Sequence, residues 1–373
     1  MPFIDLTTLM MIAGLFFGVV IGESTLFGDP VRVQITVPPK LVELGFTEAV
    51  AEDLFLSEAA RVGRALSIVH TPDVEVSGSG SLFAAVAKPL ALDQVVVVLQ
   101  NRAGFDVVSV EGAIVDKSDG GLEMVIFVTK PDETLTKIKL AQPDGNAAAL
   151  VERGSLRVLE EVSPYRVALT AFVDALDADA SPAEAKATAT RAVARPWAPS
   201  QSTELVMLYN LLGMIALVDG DIAGAKGQFD LSDAVPLALP PALGTIALNR
   251  AFVAVAQKQP DEALVYYNSG LEESADVPIY RGQIDTLAGL VAWSRGDTER
   301  AQRLFRIAID VAPHDEAPHA YLAQLLAASG DAAGADAERS AAASHRHFDT
   351  PIPALAVSEF WVDPVNGGLT RRK

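Results

Sequence analysis

Residues Gly282–Pro313 read GQIDTLAGLVAWSRGDTERAQRLFRIAIDVAP. Two stretches of helical period flank the turn Gly296-Asp297, so the segment predicts an antiparallel helical hairpin. Numbered from Gly282, the small residues Gly289, Ala301 and Ala308 fall at positions 8, 20 and 27, and Phe305 falls at position 24. Pro313 stops the second helix.

The same spacing recurs on both sides. A unit from Glu316, 34 residues on, keeps Ala323, Gly330-Asp331, Ala335 and Ala342, with Arg339 where the bulky residue should be. Upstream, a unit from Val206 carries Tyr209, Gly213, Gly220-Asp221, Ala225 and Phe229, and one from Gly244 carries Ala251, Ala254, Ala263, Tyr267 and Gly270. These two recur at 38 residues, and the extra residues are expected in loops around Pro236–Pro241 and Ala275–Pro278. A degenerate unit starts near Arg166, with Ala185 and Ala192. A generic antiparallel bundle would not repeat the Gly-Asp turn followed by Ala. The pattern resembles the tetratricopeptide repeat, which implies a solenoid of stacked hairpins over residues 164–347, with the small residues at positions 8, 20 and 27 letting paired helices approach closely and the bulky residue at position 24 filling the gap between one hairpin and the next.

The preceding region, 31–163, has a different character. Val31–Val37 alternates strictly as a strand, and Thr47 begins a helix with the stripe Val50, Leu54, Val62, Leu66, Val69. After the polar break Val76–Ser81 come Ala-rich helical stretches around Pro89 and from Asp93. Three strands follow, Phe105–Asp116, Leu122–Thr129 and Thr134–Ala141, then a helix over Asn146–Glu161. The expected class is therefore mostly α: a helical solenoid preceded by a small α+β domain. Ile35, Val37, Pro38, Leu41, Gly45, Phe46, Thr47 and Val50, together with Pro164, Tyr165 and Ala168, resemble the start and junction of an α+β domain in bacterial membrane-anchored tetratricopeptide proteins. Some of those carry signalling or transcriptional domains. The resemblance spans almost the whole chain, but no cyclase or DNA-binding segment is present, so none of those activities is implied.

Residues 1–30 contain the uncharged run Leu6–Gly22, 17 residues long. As a helix it spans about 26 Å, short but adequate for a hydrocarbon core. Gly14, Gly18 and Gly22 share one face, a small-xxx-small pattern. No basic residue precedes the run and no small-x-small site follows it, so an uncleaved single-pass transmembrane anchor in a bacterial inner membrane is expected over a signal peptide. Arg32 and Lys40 would bias the large part toward the cytoplasm. The common arrangement of such anchors puts it in the periplasm, which is the expectation adopted here.

Composition narrows the chemistry. The 29 Lys+Arg against 48 Asp+Glu leave a formal net charge of −19, which argues against nucleic-acid binding. There is no cysteine, hence no disulfide, thiolate nucleophile or Cys-ligated zinc. No Walker phosphate loop, G-x-S-x-G or H-E-x-x-H occurs, and Phe83 stands where a dinucleotide fingerprint needs its third glycine. His345, His347 and Asp349 could hold a metal only weakly, and they read better as charge near a helix C-terminus. No catalytic residue, cofactor or metal is expected.

What remains is a surface for protein partners. In the resembled family the first helices line a concave groove. Matching positions imply Asn210, Met214 and Val218, then Leu248, Phe252 and Val255, then Thr286, Leu290 and Trp293, and finally Gln324. Such a groove is mostly apolar and suits an extended or helical apolar segment of a partner in a membrane-associated complex, unless the chain's own N-terminal domain or tail fills it. The tail, 348–373, has helix-breaking prolines and the adjacent pair Phe360-Trp361. A free tail would be poor in aromatics, so this pair is expected to be buried as an anchor, either in a partner or as a cap over the last repeat at Ala327 and Ala328. The expected function is a membrane-anchored, non-catalytic scaffold. The alternative is a signalling sensor whose α+β domain binds a small ligand.

Overall fold

The computed structural model describes residues 30–63, 75–76, 108–129, 134–236, 238–274, 281–344 and 355–371. They divide into two units, with the boundary between Val167 and Ala168. Leu6–Gly22 lies outside the described residues. Among the described residues no helix is long and apolar enough to cross a membrane.

The first unit is a sheet with helices on one face. It contains β1 (Pro30–Thr36), α1 (Pro39–Glu43), α2 (Glu48–Gly63), β2 (Glu75–Val76), β3 (Val108–Asp116), β4 (Leu122–Thr129), β5 (Leu135–Gln142) and α3 (Ala147–Val162). The strand order is β2-β1-β3-β4-β5. Strand β1 runs parallel to β2 and β3, with Val31 opposite Val108, and β3-β4-β5 is an antiparallel meander. The inward rows carry Ile35, Val110, Ile114, Met124, Ile126 and Val128 against α2 and α3. Gly154 lets α3 approach the sheet, since a Cβ there would lie 2.9 Å from Met124 Sδ.

One detail differs from the sequence reading. Thr47 does cap α2, its Oγ1 accepting the Val50 amide at 3.3 Å. The buried stripe, however, is Ala51, Phe55, Ala59 and Val62, while Val50 is exposed. The shift arises because α2 presents its small residues and one Phe to the sheet and leaves Val50 on the first, outward turn. The stretches around Pro89 and Asp93, with Leu66 and Val69, lie outside the described residues.

The second unit is a run of helical hairpins: α4 (Pro164–Asp177) with α5 (Ala183–Val193), α6 (Ser202–Val218) with α7 (Ile222–Leu231), α8 (Pro240–Ala256) with α9 (Pro260–Ser274), α10 (Arg281–Ser294) with α11 (Thr298–Val311), and α12 (Glu316–Ala328) with α13 (Ala332–Ser344). The Gly-Asp turns have a shared physical basis. Gly220, Gly296 and Gly330 take φ of +76°, +81° and +88°, a region that disfavours side chains. The following Asp caps the second helix, with Asp221, Asp297 and Asp331 accepting amides at 2.8, 3.1 and 2.9 Å. The small positions lie at the helix contacts, where Ala225, Ala263, Ala301, Ala308 and Ala335 are fully buried. A Cβ at Gly213 or Gly289 would fall 2.2 Å from Phe229 or 2.4 Å from Phe305.

The longer repeat is accommodated differently from the expectation of loops alone. Helix α8 begins at Pro240, four residues before Gly244, so part of the insertion becomes an extra helical turn with Pro in its first turn. The other insertion, Ala275–Pro278, lies outside the described residues.

Candidate protein-binding face and the tail that occupies it

The first helices of the hairpins, α6, α8, α10 and α12, present the candidate face. Across it lies the C-terminal segment: α14 (Ala356–Glu359), β6 (Phe360–Val362) and β7 (Leu369–Arg371). Strands β6 and β7 form a hairpin, with Phe360 opposite Arg371. Helix α14 contacts α8 and α10.

The attachment is largely through main-chain groups. The Ala356 amide donates to Asn249 Oδ1 at 2.7 Å, in a buried setting. Asn249 is held in turn because its Nδ2 donates to Asn210 Oδ1 at 2.7 Å, one repeat away. Two buried asparagines thereby form a fixed acceptor aimed at a peptide N–H. The Val362 amide donates to the Tyr321 hydroxyl at 3.0 Å, and the Gly368 amide to the Ala256 carbonyl at 2.9 Å. That last contact requires Gly367, whose φ is +80° and whose Cβ would lie 2.7 Å from the Ala256 carbonyl oxygen. Arg371 reaches α4, donating to the Leu176 carbonyl at 2.7 Å and to Asp179 at 3.4 Å.

Side chains complete the attachment. Leu355 and Val357 are buried and line a narrow cleft together with Leu248, Asn249, Gln283, Ile284 and Leu287. Phe360 is buried to 1% exposure. Trp361 is half-buried and meets Tyr321 edge-on, with ring centroids 5.2 Å apart. Tyr321 stacks on Phe305 at 5.8 Å, and Phe305 meets Trp293 edge-on at 6.4 Å. An unbroken aromatic row thus runs from the strongest repeat into the tail.

Of the residues implied by sequence for this face, Asn210, Met214, Leu248, Phe252, Val255, Thr286, Leu290 and Trp293 are buried, Val218 is half-buried and Gln324 is exposed. Asn210 and Leu248 take part in the tail site as described. Thr286 bonds its own helix at the Gly282 carbonyl, and Trp293 packs on Phe305. The side chains that meet the tail and were missed include Asn249, Leu287 and Tyr321, each sixth in its unit, together with Gln283, Ile284 and Asp179. The available signal was the pair Asn210 and Asn249, polar amides nearly one repeat apart inside otherwise apolar helices.

The tail does not lie over Ala327 and Ala328, which are exposed. The end of the array needs no such cover, because α13 already turns Asp336, Arg339 and Ser340 to solvent. Arg339, at position 24 of this hairpin, is exposed, and among the described residues no further hairpin packs on it.

Other candidate chemistry resolves into structural roles. His319 is buried between Glu338 Oε2, at 2.7 Å from Nδ1, and the Pro313 carbonyl, at 3.3 Å from Nε2. Arg250 binds the Phe229 carbonyl at 2.6 Å and Asp233 at 2.9 Å, tying α8 to the end of the preceding hairpin. Among the described residues no group of three or more His, Asp or Glu could hold a metal ion. His345, His347 and Asp349 lie outside them.

No protein-family profile matches the chain, and no curated protein matches it. Similar solved structures exist. BtubC (BKLC) from P. vanneervenii is 20% identical over 53% of this chain and 90% of that one, with a TM-score of 0.41. The MamA RS-1 ArsTM double mutant is 15% identical over 48% of this chain and 93% of that one, with a TM-score of 0.34. A chain of the APC/C hetero-tetramer Cut9-Hcn1 is 15% identical, with a TM-score of 0.41; the match covers 56% of this chain and only 39% of that one. The repeats are tetratricopeptide-like by their own geometry: position-8 glycines against position-24 phenylalanines, and capped Gly-Asp turns between paired helices.

Proposed function

We propose that the chain is a protein-binding adaptor that acts without catalysis, attached to a bacterial inner membrane through residues 6–22, with its repeats in the periplasm. One observation carries the binding part. The Asn249 side-chain oxygen Oδ1, with its Nδ2 braced by Asn210, accepts a main-chain amide beside a cleft where aliphatic side chains of the tail are buried. Main-chain hydrogen bonds combined with pockets for alternate side chains are the general means of holding an extended polypeptide. The net charge of −19 supports a protein partner over a nucleic acid.

The binding reading is tested by placing a photo-crosslinking amino acid at Gln324, which is exposed at the edge of this face. Irradiation of native membranes should give one discrete adduct, absent when the same group replaces exposed Val265 on α9. A smear, or the same adduct from both positions, would refute it. Attachment predicts retention of the chain after carbonate washing and its release when residues 6–22 are deleted. A reporter fused after Lys373 reads the membrane side, and activity confined to the cytoplasm would reverse that assignment.

A further inference from the structure

We propose that residues 355–371 are an internal stand-in for the partner: the partner segment carries the same pattern (aliphatic, small, aliphatic and, after two residues, Phe, aromatic, aliphatic) and binds by displacing the tail. This rests on the protein-binding reading above and adds to it the identity of the bound sequence and the means by which the face is held closed.

Three observations carry it. First, the contacts that hold the tail are ones another polypeptide could make. Amides at Ala356 and Val362 are bound through Asn249 and Tyr321, and Leu355 and Val357 are buried beside Leu248, Ile284 and Leu287. Second, the tail has little order of its own. It comprises a helix of 4 residues and a hairpin whose strands are 3 residues each. Elements this short are not stable in isolation, so their conformation is set by the face beneath them. Such a segment lies at the low end of local stability, where opening is accessible without unfolding the repeats. Third, the bared face is a poor resting state. Removing the tail would bare Leu248, Ile284 and Leu287 and take the Ala356 amide from Asn249 Oδ1, so exchange for an equivalent segment is favoured over simple opening.

Tethering sets the size of the effect. A linked segment acts at roughly millimolar effective concentration, so a free segment of micromolar intrinsic affinity is held off by about a thousandfold. The pattern also makes Phe360 the main side-chain determinant, since it is the tail's large, fully buried group.

The test adds a fluorescent peptide of residues 355–371 to the solubilised full-length chain, either wild type or Ala356→Pro/Phe360→Ala. Proline suits the backbone at the first helical position, with Leu355 already extended at φ −110°, ψ 122°, but it removes the N–H that Asn249 accepts. The opened chain should bind the peptide at least about a hundredfold more tightly than wild type, within a factor of about ten of the full tethering advantage. Asn249→Ala in the opened chain, or alanine at the peptide's Phe360, should abolish that gain. Phe360→Ala alone, with an unchanged helical spectrum, is the second variant should the double one misfold.

Equal binding to wild type and opened chains, or no binding to an opened chain with native helicity, would overturn the proposal. So would a wild-type dimer formed by exchanged tails, because the occupant would then be a second copy. Crosslinking from Gln324 that succeeds equally with and without the tail substitutions would reject the stand-in role while leaving the protein-binding reading intact. Failure of both assays would reject both.

Discussion

Gly289→Ala is a severe test of the repeat geometry, because a single added methyl has nowhere to go. Its Cβ would sit 2.4 Å from Phe305 Cε1, 2.6 Å from Cδ1 and 2.9 Å from Cζ. Ordinary carbon–carbon contact begins near 3.5 Å, so the ring or the helix must move by about 1 Å. The ring is confined. Phe305 is fully buried, stacked on Tyr321 and met edge-on by Trp293. Overpacking of such a contact costs about 3 kcal/mol, toward the upper end of the usual range. Replacing Gly by Ala within a helix returns about 1 kcal/mol. The net loss is about 2 kcal/mol. Urea unfolding followed by circular dichroism measures it for Gly289→Ala, Phe305→Leu and the double variant. The double variant should be less destabilised than the sum of the singles by at least about 1 kcal/mol, because leucine vacates the space the methyl needs. Gly213→Ala against Phe229 should repeat the effect, with the added Cβ 2.2 Å from the ring. A Gly289→Ala chain as stable as wild type, or strict additivity in the cycle, would refute the packing argument and with it the assigned register.

Three further outcomes follow from the same structure. Ala301→Leu and Ala335→Leu each force a larger side chain into a fully buried helix contact and should destabilise by about 1–3 kcal/mol in chemical denaturation. Phe360→Ala with Trp361→Ala should lower the melting temperature of the purified protein with no partner present and accelerate hydrogen exchange at the Ala356 and Val362 amides far more than within α10 and α11. Partial burial alone would raise the pKa of Asp363, but the Asn366 and Val365 amides and the Asn366 side chain outweigh it and hold the carboxyl below its ordinary value. A depressed carboxylate stabilises the fold above its unfolded pKa and loses that contribution as pH falls through the folded value. The tail turn should therefore be insensitive to pH between about 5 and 7 and loosen below about pH 4, a dependence that Asp363→Asn removes in pH-corrected hydrogen exchange.

The repeats were legible in the sequence because their determinants are local and periodic. A hairpin is specified by a glycine at position 8, an aromatic at 24 and a capped Gly-Asp turn, all within one unit, and Gly289, Phe305 and Asp297 meet inside that unit in the structure. The meander β3-β4-β5 was legible for the same reason, its turns lying between adjacent alternating segments. The short parallel strand β2 carried no such signal, with 2 residues and a partner, β1, far back in the chain.

The binding face depended on tertiary structure in two ways. Which side of each first helix meets the tail is a matter of one position, because Leu248 and Asn249 are neighbours in sequence but point toward different surroundings. Leu248 borders Gly270 of its own hairpin as well as the cleft, and Asn249 carries the hydrogen bond to the tail. The tail itself lacks any period that names its docking place. Its bonds join residues separated by 107, 41 and 195 positions, and the acceptors are a side-chain amide, a phenol oxygen and a helix-end carbonyl. Sequence alone determined that Phe360 and Trp361 were too apolar for a solvated tail. Only the stacked first helices, which bring Asn249, Tyr321 and the end of α4 onto one surface, decided where that segment lies, because long-range pairing of a short aperiodic segment is set by the surface it meets and not by its own local propensity.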